Sequence, residues 1–234
     1  FVDVLIGGST EGMIKYELPE TVTAENYKLL IQKQSGVGTL PVAVHIKTKD
    51  GKPAFFDPKG EHGMSDVMRH YLAGQLAHAR EITAFLAPYV NSYKRFCVGM
   101  FAPTKAVWSS DNRTAGFRLC GVDSKAIRVE CRIPGSDVNP YLCCAALLAA
   151  GLDGIEKKMA LEPEMKGDMY AKGGIREIPK TLREAADLLN GSSMLRQAFG
   201  DDVVDHYHHA AQWEISETDR VVTDFELQRL LERA

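Results

Sequence analysis

The amino-acid sequence predicts an α+β fold, and two observations support that prediction. Three strand-like segments occur together in the middle of the chain, at residues 105–109, 114–120 and 126–133. Segments with helix-capping residues then follow to the C-terminus without further strands. A run of strands followed by a run of helices is typical of α+β domains. We therefore expect an antiparallel or mixed sheet covered by helices, with a helical C-terminal tail.

Size and composition exclude several function classes. The chain has 234 residues, of which 45% are apolar and 25% are charged, as in ordinary globular proteins. The formal charge of −3 gives no basis for binding nucleic acid or an anionic membrane surface, and no apolar run reaches the roughly 18–20 residues that span a bilayer. The five cysteines form no CxxC pair, which favours reduced thiols in a cytoplasmic protein.

The N-terminal part of the sequence is the hardest to interpret. The chain starts without methionine inside an apolar stretch, so we expect it to be a fragment of a longer protein. Residues 24–34 look helical. The segments 41–48 and 53–56 flank Asp50 and Gly51, and this pattern predicts a β-hairpin because glycine tolerates a positive φ.

Capping residues place the helices that follow. The side-chain oxygen of Ser65 can accept a hydrogen bond from a free backbone N–H in the first turn of a helix. Ser65 therefore predicts the start of a long helix that runs to about residue 86. Asn139 followed by Pro140 predicts a second start. The small residues of this second helix, which runs to about residue 158, would let it lie close against the sheet. Thr181 and Thr223 each stand three residues before a glutamate, a capping-box pattern that opens two helices of the tail.

The strand at 126–133 has one charged face. Because side chains alternate along a strand, Arg128, Glu130 and Arg132 share a face, and apolar residues share the other. A solvated outer face is the commoner explanation of this pattern. The alternative is a sheet surface that binds an anionic substrate and a metal ion.

Basic side chains recur around these strands. Arginine forms bidentate hydrogen bonds to carboxylates and phosphates, and phosphoryl transfer depends on such positioning together with metal ions. From the residues alone, scattered surface charge explains the pattern about as well. The seven cations are Lys94, Arg95, Arg113, Arg118, Lys125, Arg128 and Arg132.

A set of sequence motifs helps to decide between scattered surface charge and an anion-binding site. NSYKR (91–95), NR (112–113), RVECR (128–132) and NPY (139–141) occur in this order, with AP at 102–103. Their order and spacing over about residues 50–234 resemble the catalytic domain of glutamine synthetase. The stretches GFRLCG, ECRIPG and AFGDDVVDHY are most similar to the γ-glutamylpolyamine synthetase-like branch of that family.

The resemblance implies a fold, an activity and partners. Residues 41–234 would form the catalytic domain, residues 1–40 match poorly, and the family's N-terminal β-grasp domain is missing from this sequence. The implied activity joins the γ-carboxylate of glutamate to an amine, using ATP, through γ-glutamyl phosphate with Mg²⁺ or Mn²⁺. An intact member assembles as a homo-oligomer of stacked rings.

The resemblance also implies site residues. Arg95 corresponds to the arginine that holds the glutamate α-carboxylate, and Arg132 to the one near the reacting γ-carboxylate. Arg113 corresponds to the arginine that stabilises the transferring phosphoryl group. The implied ATP contacts are Arg113, Arg118, Lys125 and Arg128, and the implied metal ligands are Glu130 and His45.

Geometry sets one condition on this site. Arg113 and Arg118 are five residues apart, so a continuous strand would point them to opposite faces. They can serve one site only if Asn112 and Arg113 belong to the preceding loop.

Three departures from the family pattern keep alternatives open. Phe101 stands where glutamine synthetases carry a glutamate that binds and deprotonates ammonium, which favours a polyamine or an alkylamine over ammonia. His45 is the single histidine left of a His-x-His pair, and a shift of two residues decides whether it is the ligand. Most of the family's metal-binding glutamates are absent, so we expect the chain alone to be inactive.

The alternatives to an active glutamate–amine ligase are a catalytically incomplete paralogue with an assembly role, a nucleotide-binding regulatory domain, and a true glutamine synthetase.

Overall fold

The computed structural model describes residues 54–97 and 102–231, together with the backbone of two strands nearer the N-terminus. These strands, β1 (Asn26–Ile31) and β2 (Val42–Lys47), are antiparallel, with Tyr27 opposite Ile46. The helix predicted at 24–34 is therefore wrong: pairing with β2 supplies hydrogen-bond partners to this backbone and overrides a weak local preference. The turn predicted at Asp50 and Gly51 lies outside the described residues.

Three short strands form the central sheet, in the order β3 (Trp108–Ser110), β4 (Phe117–Cys120) and β5 (Arg128–Cys131). Strand β3 is parallel to β4, and β4 is antiparallel to β5. A parallel pair normally needs a crossover of a dozen or more residues. Here the loop 111–116 suffices, because returning past a three-residue strand covers only about 10 Å. The sheet is mixed, as predicted.

Seven α-helices accompany these strands in the described part of the chain. Ser65 Oγ accepts the Met68 N–H at 3.2 Å, Asn139 Oδ1 accepts the Tyr141 N–H at 3.0 Å, and both predicted helix starts are confirmed. The helices are α1 (Asp66–Ala77), α2 (Thr83–Leu86), α3 (Pro140–Glu156), α4 (Leu182–Asn190), α5 (Ser193–Phe199), α6 (Asp201–Asp219) and α7 (Asp224–Leu231).

The first predicted helix is interrupted. Residues 78–82 form turns between α1 and α2, and the N–H of His78 is shared between the carbonyl groups of Gly74 and Leu76. The His78 ring lies 2.7 Å from Asp153 of α3 and 3.2 Å from Glu81. These bonds draw the chain towards α3 and end the regular helix.

Helix α3 packs against α1, and its buried side chains share one apolar core with those of the sheet. A Cβ atom on Gly154 would lie 2.2 Å from the carbonyl oxygen of His70 and 2.6 Å from the Cα atom of Gly74. A Cβ atom on Gly151 would meet the ring of Tyr71. The two backbones approach so closely that only glycine fits between them.

The segment 159–180 runs along the open edge of the sheet. The Met165 N–H donates to the Trp108 carbonyl at 3.2 Å, and the Ala106 N–H donates to the Arg176 carbonyl at 2.9 Å. The buried ammonium group of Lys105 forms an ion pair with Glu177. The segment thereby covers β3, which leaves β4 and β5 to carry the charged side chains. No helix in the described part of the chain has the length and apolar character to cross a membrane.

Candidate active site

Strands β4 and β5 bring opposite charges face to face. Arg118 and Glu130 are direct partners in the antiparallel register, and their side chains meet with Nη1 3.1 Å from Oε2. The other oxygen of Glu130 accepts from Arg132 at 2.5 Å. Arg118 also donates from Nε to Asp111 at 3.1 Å. We call Asp111, Arg118, Glu130 and Arg132 the charged row.

Arg113 lies in the loop between β3 and β4, as the sequence required for a shared site. Asn112 Oδ1 accepts from the Thr114 N–H at 2.9 Å and from the Thr114 hydroxyl at 2.7 Å, which fixes the turn. The carbonyl of Arg113 accepts from Nε of Arg132 at 3.0 Å. The backbone that carries Arg113 is therefore held against the charged row.

The charged row keeps its carboxylates ionised. Burial alone would raise the pKa of Glu130, but the hydrogen bond from Arg132 and the charges of Arg132 and Arg118 outweigh it and lower that pKa. Hydrogen bonding from Arg118 lowers the pKa of Asp111, and the same bond raises the pKa of Arg118. The row is thus a fixed arrangement of full charges at neutral pH.

Arg95 reaches the same region from a different element. It ends the 3₁₀ helix Val90–Arg95, and its guanidinium group donates to the carbonyl of Ile133, the residue after Arg132. The guanidinium carbon also lies 4.7 Å from the centre of the Phe96 ring. Burial lowers the pKa of Arg95, and nearby Asp137 partly offsets that effect. The structure therefore places Arg95 beside the start of the segment that follows β5.

Lys125 and Arg128 lie towards the other end of β5. Both are exposed, Lys125 on the turn 121–127 and Arg128 at the first position of the strand. Arg128 donates to the carbonyl of Ala126 at 3.2 Å and shares its strand face with Glu130, two residues away. The structure thus joins Arg95, Arg113, Arg118, Glu130 and Arg132 through direct hydrogen bonds or sequence neighbours. It leaves Lys125 and Arg128 as an exposed pair beside them.

The described residues alone do not form a metal site. Among residues 54–97 and 102–231, no three His, Cys, Asp or Glu side chains surround a point where an ion could sit. Glu130 offers one carboxylate, and both of its oxygens already accept hydrogen bonds from arginines. A divalent cation such as Mg²⁺ takes about six oxygen ligands. His45 lies in β2, of which only the backbone is described, and Phe101 lies outside the described residues.

Sequence reasoning missed two residues of this region. Asp111 precedes Asn112 in the turn at a φ of 47° and pairs with Arg118, seven residues later. Its position in a turn predicts only local hydrogen bonding. Tyr170 comes from the segment 159–180, and its electrostatic neighbours include Arg132 and Arg95. No spacing rule connects residues so far apart in the chain.

Comparison with known proteins identifies the family. The family model described as glutamine synthetase, catalytic domain, matches residues 28–230. A γ-glutamylethanolamide synthetase of Streptomyces coelicolor is 50% identical over 171 residues, which are 73% of this chain and 37% of that protein. A glutamate–isopropylamine ligase of a Pseudomonas species is 38% identical over 193 residues, covering 81% of this chain and 42% of the relative.

A glutamine synthetase and a solved structure give the same result. The glutamine synthetase of Thermus thermophilus is 40% identical over 190 residues, covering 78% of this chain and 43% of that enzyme. A solved complex of GmaS with ADP has a TM-score of 0.72 and 30% identity, over 81% of this chain and 45% of the other. The chain spans from 36% to 54% of the length of the curated relatives compared. The predicted resemblance and α+β fold are confirmed, and the chain belongs to the glutamine synthetase catalytic-domain family.

Proposed function

We propose that this chain supplies the catalytic domain of an ATP-dependent ligase that joins the γ-carboxylate of glutamate to an amine through γ-glutamyl phosphate. The observation that carries the proposal is the charged row, with the Arg113 loop held against it. Two relatives whose names describe glutamate–amine joining support it, at 50% and 38% identity.

The acid would bind between two arginines. We assign Arg95 to the α-carboxylate and Arg132 to the reacting γ-carboxylate, because a guanidinium group matches a carboxylate in shape and charge. Both guanidinium groups are already held by backbone carbonyls, of Ile133 and Arg113 respectively. Little side-chain entropy would then be lost when glutamate binds.

The phosphate groups of ATP would lie over the basic side chains next to the glutamate-binding arginines. Arg113 is assigned to the transferring phosphoryl group, with Arg118, Lys125 and Arg128 as further ATP contacts. Arg118 is fixed between Asp111 and Glu130, so its charge needs no reorganisation as negative charge develops. The exposed Lys125 and Arg128 remain accessible to a nucleotide from solvent.

A divalent cation, Mg²⁺ or Mn²⁺, would neutralise phosphate charge when bound. Glu130 is the one described residue that we assign to it, and His45 is the second proposed ligand. The remaining ligands would come from outside the described residues, so residues 54–231 alone would not support turnover. We therefore propose that this chain is inactive without the residues that complete the metal site.

The amine is proposed to be an alkylamine or a polyamine and not ammonia. Phe101 supports this, because an apolar ring cannot bind or deprotonate ammonium as a carboxylate does. An ethanolamide synthetase and an isopropylamine ligase among the relatives agree with it. The similarity to the Thermus glutamine synthetase keeps ammonia as the second candidate.

We further propose that the protein is a cytoplasmic homo-oligomer. Helix α7 supports self-association, because none of its residues is buried and it exposes Phe225, Leu230 and Leu231. Exposed apolar surface of this kind marks interaction sites. The division of the chain at residue 40 into a poorly matched segment and a catalytic domain stays a prediction.

The test of substrate class is a panel of amines. Glutamate-dependent ADP release by the full-length protein would be measured with ethanolamine, isopropylamine, putrescine and ammonium at equal concentrations of free base. The proposal predicts that at least one organic amine exceeds ammonium in kcat/KM. If ammonium is the best substrate, the second candidate replaces the first. If no amine supports glutamate-dependent release, the ligase proposal fails.

A further inference from the structure

A cavity with a volume of about 300 Å³ opens to solvent between helices α2, α3, α4 and α6. Its lining is mainly apolar and includes the buried side chains of Phe85 and Leu189. Concave, mostly apolar sites of at least this volume bind small molecules, and a few polar groups in them give specificity. The described residues that line the cavity include no member of the charged row, so it shares no residue with that site.

Aromatic rings form much of the cavity wall. Tyr207 of α6 meets Phe85 of α2 at a steep angle, with 5.4 Å between the ring centres and 76° between the ring planes. Tyr89 and Trp213 also line the cavity, and they are 49% and 61% exposed. The face of an aromatic ring attracts a cation, and several rings around one space bind alkylammonium groups. These rings therefore favour a ligand that combines a positive charge with apolar groups.

Glu214 adds a negative charge to this wall. It is partly buried, follows Trp213 in α6, and is the one charged residue among the described residues that line the cavity. Its carboxylate has no hydrogen bond or ion pair within the part of the chain that the structure describes. Glu217 on the same helix is instead paired with Arg220. A carboxylate that loses part of its hydration without gaining a cation is unfavourable, so a cationic ligand would stabilise Glu214.

We propose that this cavity binds a small organic ammonium ion, with its alkyl groups against the aromatic rings and its charge beside the Glu214 carboxylate. The inference is carried by the rings and by the unpaired carboxylate, so it does not depend on the proposed ligase function. No covalent step takes place in the cavity, and reversible occupancy is the property to be measured.

The first test compares two probes that differ in charge and not in shape. Choline carries a trimethylammonium group without any N–H, so its nitrogen cannot be joined to an acid as an amine substrate. The alcohol 3,3-dimethylbutan-1-ol has the same shape without the charge. Calorimetric titration of the full-length protein, without ATP or glutamate, should give a Kd for choline below about 1 mM and binding of the alcohol at least about 5-fold weaker.

Variants of α6 test the two parts of the site. Glu214→Gln should weaken choline binding by about 5-fold or more, because it removes the opposite charge. Trp213→Ala should weaken it by about 3- to 10-fold, because it removes a ring. Neither side chain is fully buried, so both variants should fold. Glu217→Gln is the matched control, since its carboxylate is already paired with Arg220, and its affinity should stay within about 2-fold of wild type.

Three results would overturn the inference. They are no binding of choline up to about 10 mM, equal affinity for choline and the alcohol, and an affinity for choline that Glu214→Gln leaves unchanged. Equal losses in Glu214→Gln and Glu217→Gln would also overturn it, because they would indicate a general effect of surface charge. The ligase proposal is unaffected by all of these results, because the amine panel tests it separately.

Discussion

Arg118 and Glu130 face each other across β4 and β5, with 3.1 Å between Nη1 and Oε2. Glu130 also holds Arg132, so one carboxylate separates two guanidinium groups. The three side chains are partly buried, with 18% of Arg118, 19% of Arg132 and 36% of Glu130 exposed, and ion pairs that still reach solvent contribute only about 1 kcal/mol to stability. The arrangement therefore matters more for where the arginines point than for whether the protein folds.

Glu130→Gln is expected to reduce activity far more than stability. Glutamine keeps the shape but cannot neutralise two arginines, so Arg118 and Arg132 are held less firmly although Asp111 and the Arg113 carbonyl still contact them. A displacement of about 1 Å can cost about 100-fold in rate, and we expect a fall in kcat/KM of at least that size. The unfolding free energy should change by no more than about 1 kcal/mol. Amine-dependent ADP release and urea unfolding measure the two effects.

Glu61→Gln is the control for this change, because the Glu61 side chain is 66% exposed and lies outside the charged row. Its activity should stay near that of wild type. An active Glu130→Gln enzyme would remove the charged row from the account of the site.

Local rules predicted the start of α1 and α3 and the charged face of β5. The hydroxyl of Ser65, the Asn139–Pro140 pair and the two-residue period of Arg128, Glu130 and Arg132 act over a few residues, so they can be read directly. The strand at 26–31 and the break at 78–82 depend on partners elsewhere in the chain. A single sequence contains no direct signal for them.

The site residues also fall into those that local sequence rules predict and those that depend on distant parts of the chain. Glu130 and Arg132 lie on one strand and were predicted together. The pairing of Arg118 with Glu130 depends on the strand register that the turn 121–127 sets. The tip of the segment 159–180 lies beside the site because Gly167 and Met169 bond to the Arg113 loop, more than fifty residues away in sequence.

Gly154→Ala should destabilise the protein, although alanine favours helices over glycine by about 1 kcal/mol. The added Cβ would lie 2.2 Å from the His70 carbonyl oxygen, so α1 and α3 must separate. Overpacking of this kind costs about 1–3 kcal/mol. The urea concentration at the midpoint of unfolding shows whether the variant is less stable or more stable than wild type.

Gly173→Ala is the comparison, since a Cβ there would meet nothing within 4 Å. It should change stability by less than about 0.5 kcal/mol. If Gly154→Ala unfolds at the same urea concentration as Gly173→Ala, the close packing of α1 and α3 is wrong.

The His78 cluster should make stability depend on pH. Burial lowers the pKa of His78, but hydrogen bonds with Glu81 and Asp153 outweigh it and raise that pKa above its ordinary 6.5. Hydrogen bonds from His78 and Ser192 lower the pKa of Glu81 against the effect of burial. Lys157, 2.7 Å from the other oxygen of Asp153, is the remaining charged group of the cluster.

The direction in which stability changes with pH follows from these pKa shifts. The contribution of His78 is complete below about pH 6.5 and is lost as the pH rises through the raised value. The contribution of Glu81 is complete above about pH 4.5 and is lost as the pH falls. His78→Asn should therefore lower the melting temperature by about 3–6 °C more at about pH 6 than at about pH 9.

His209→Asn, at an exposed position of α6, is the control and should show no such difference. An equal loss for His78→Asn at both pH values would contradict a charged His78 in the folded protein.

Phe225→Asp tests the proposed self-association. The Phe225 side chain is 65% exposed on α7, and a buried carboxylate at an interface would be costly. We expect light scattering to give a lower molar mass for this variant than for wild type. Gln228→Glu on the same helix adds the same charge at another exposed position and serves as the comparison. A monomeric wild-type protein would refute the homo-oligomer.

The most direct test of the central proposal follows the oxygen atoms of glutamate. Glutamate labelled with ¹⁸O in both γ-carboxylate oxygens would be incubated with ATP, Mg²⁺, an amine and the full-length protein. In the proposed reaction, one labelled oxygen attacks the γ-phosphorus of ATP and ADP leaves; the amine then attacks the acyl carbon, loses a proton, and phosphate leaves with that oxygen. The account predicts one ¹⁸O in each inorganic phosphate and one in the amide. Unlabelled phosphate, or phosphate released without glutamate, would contradict it.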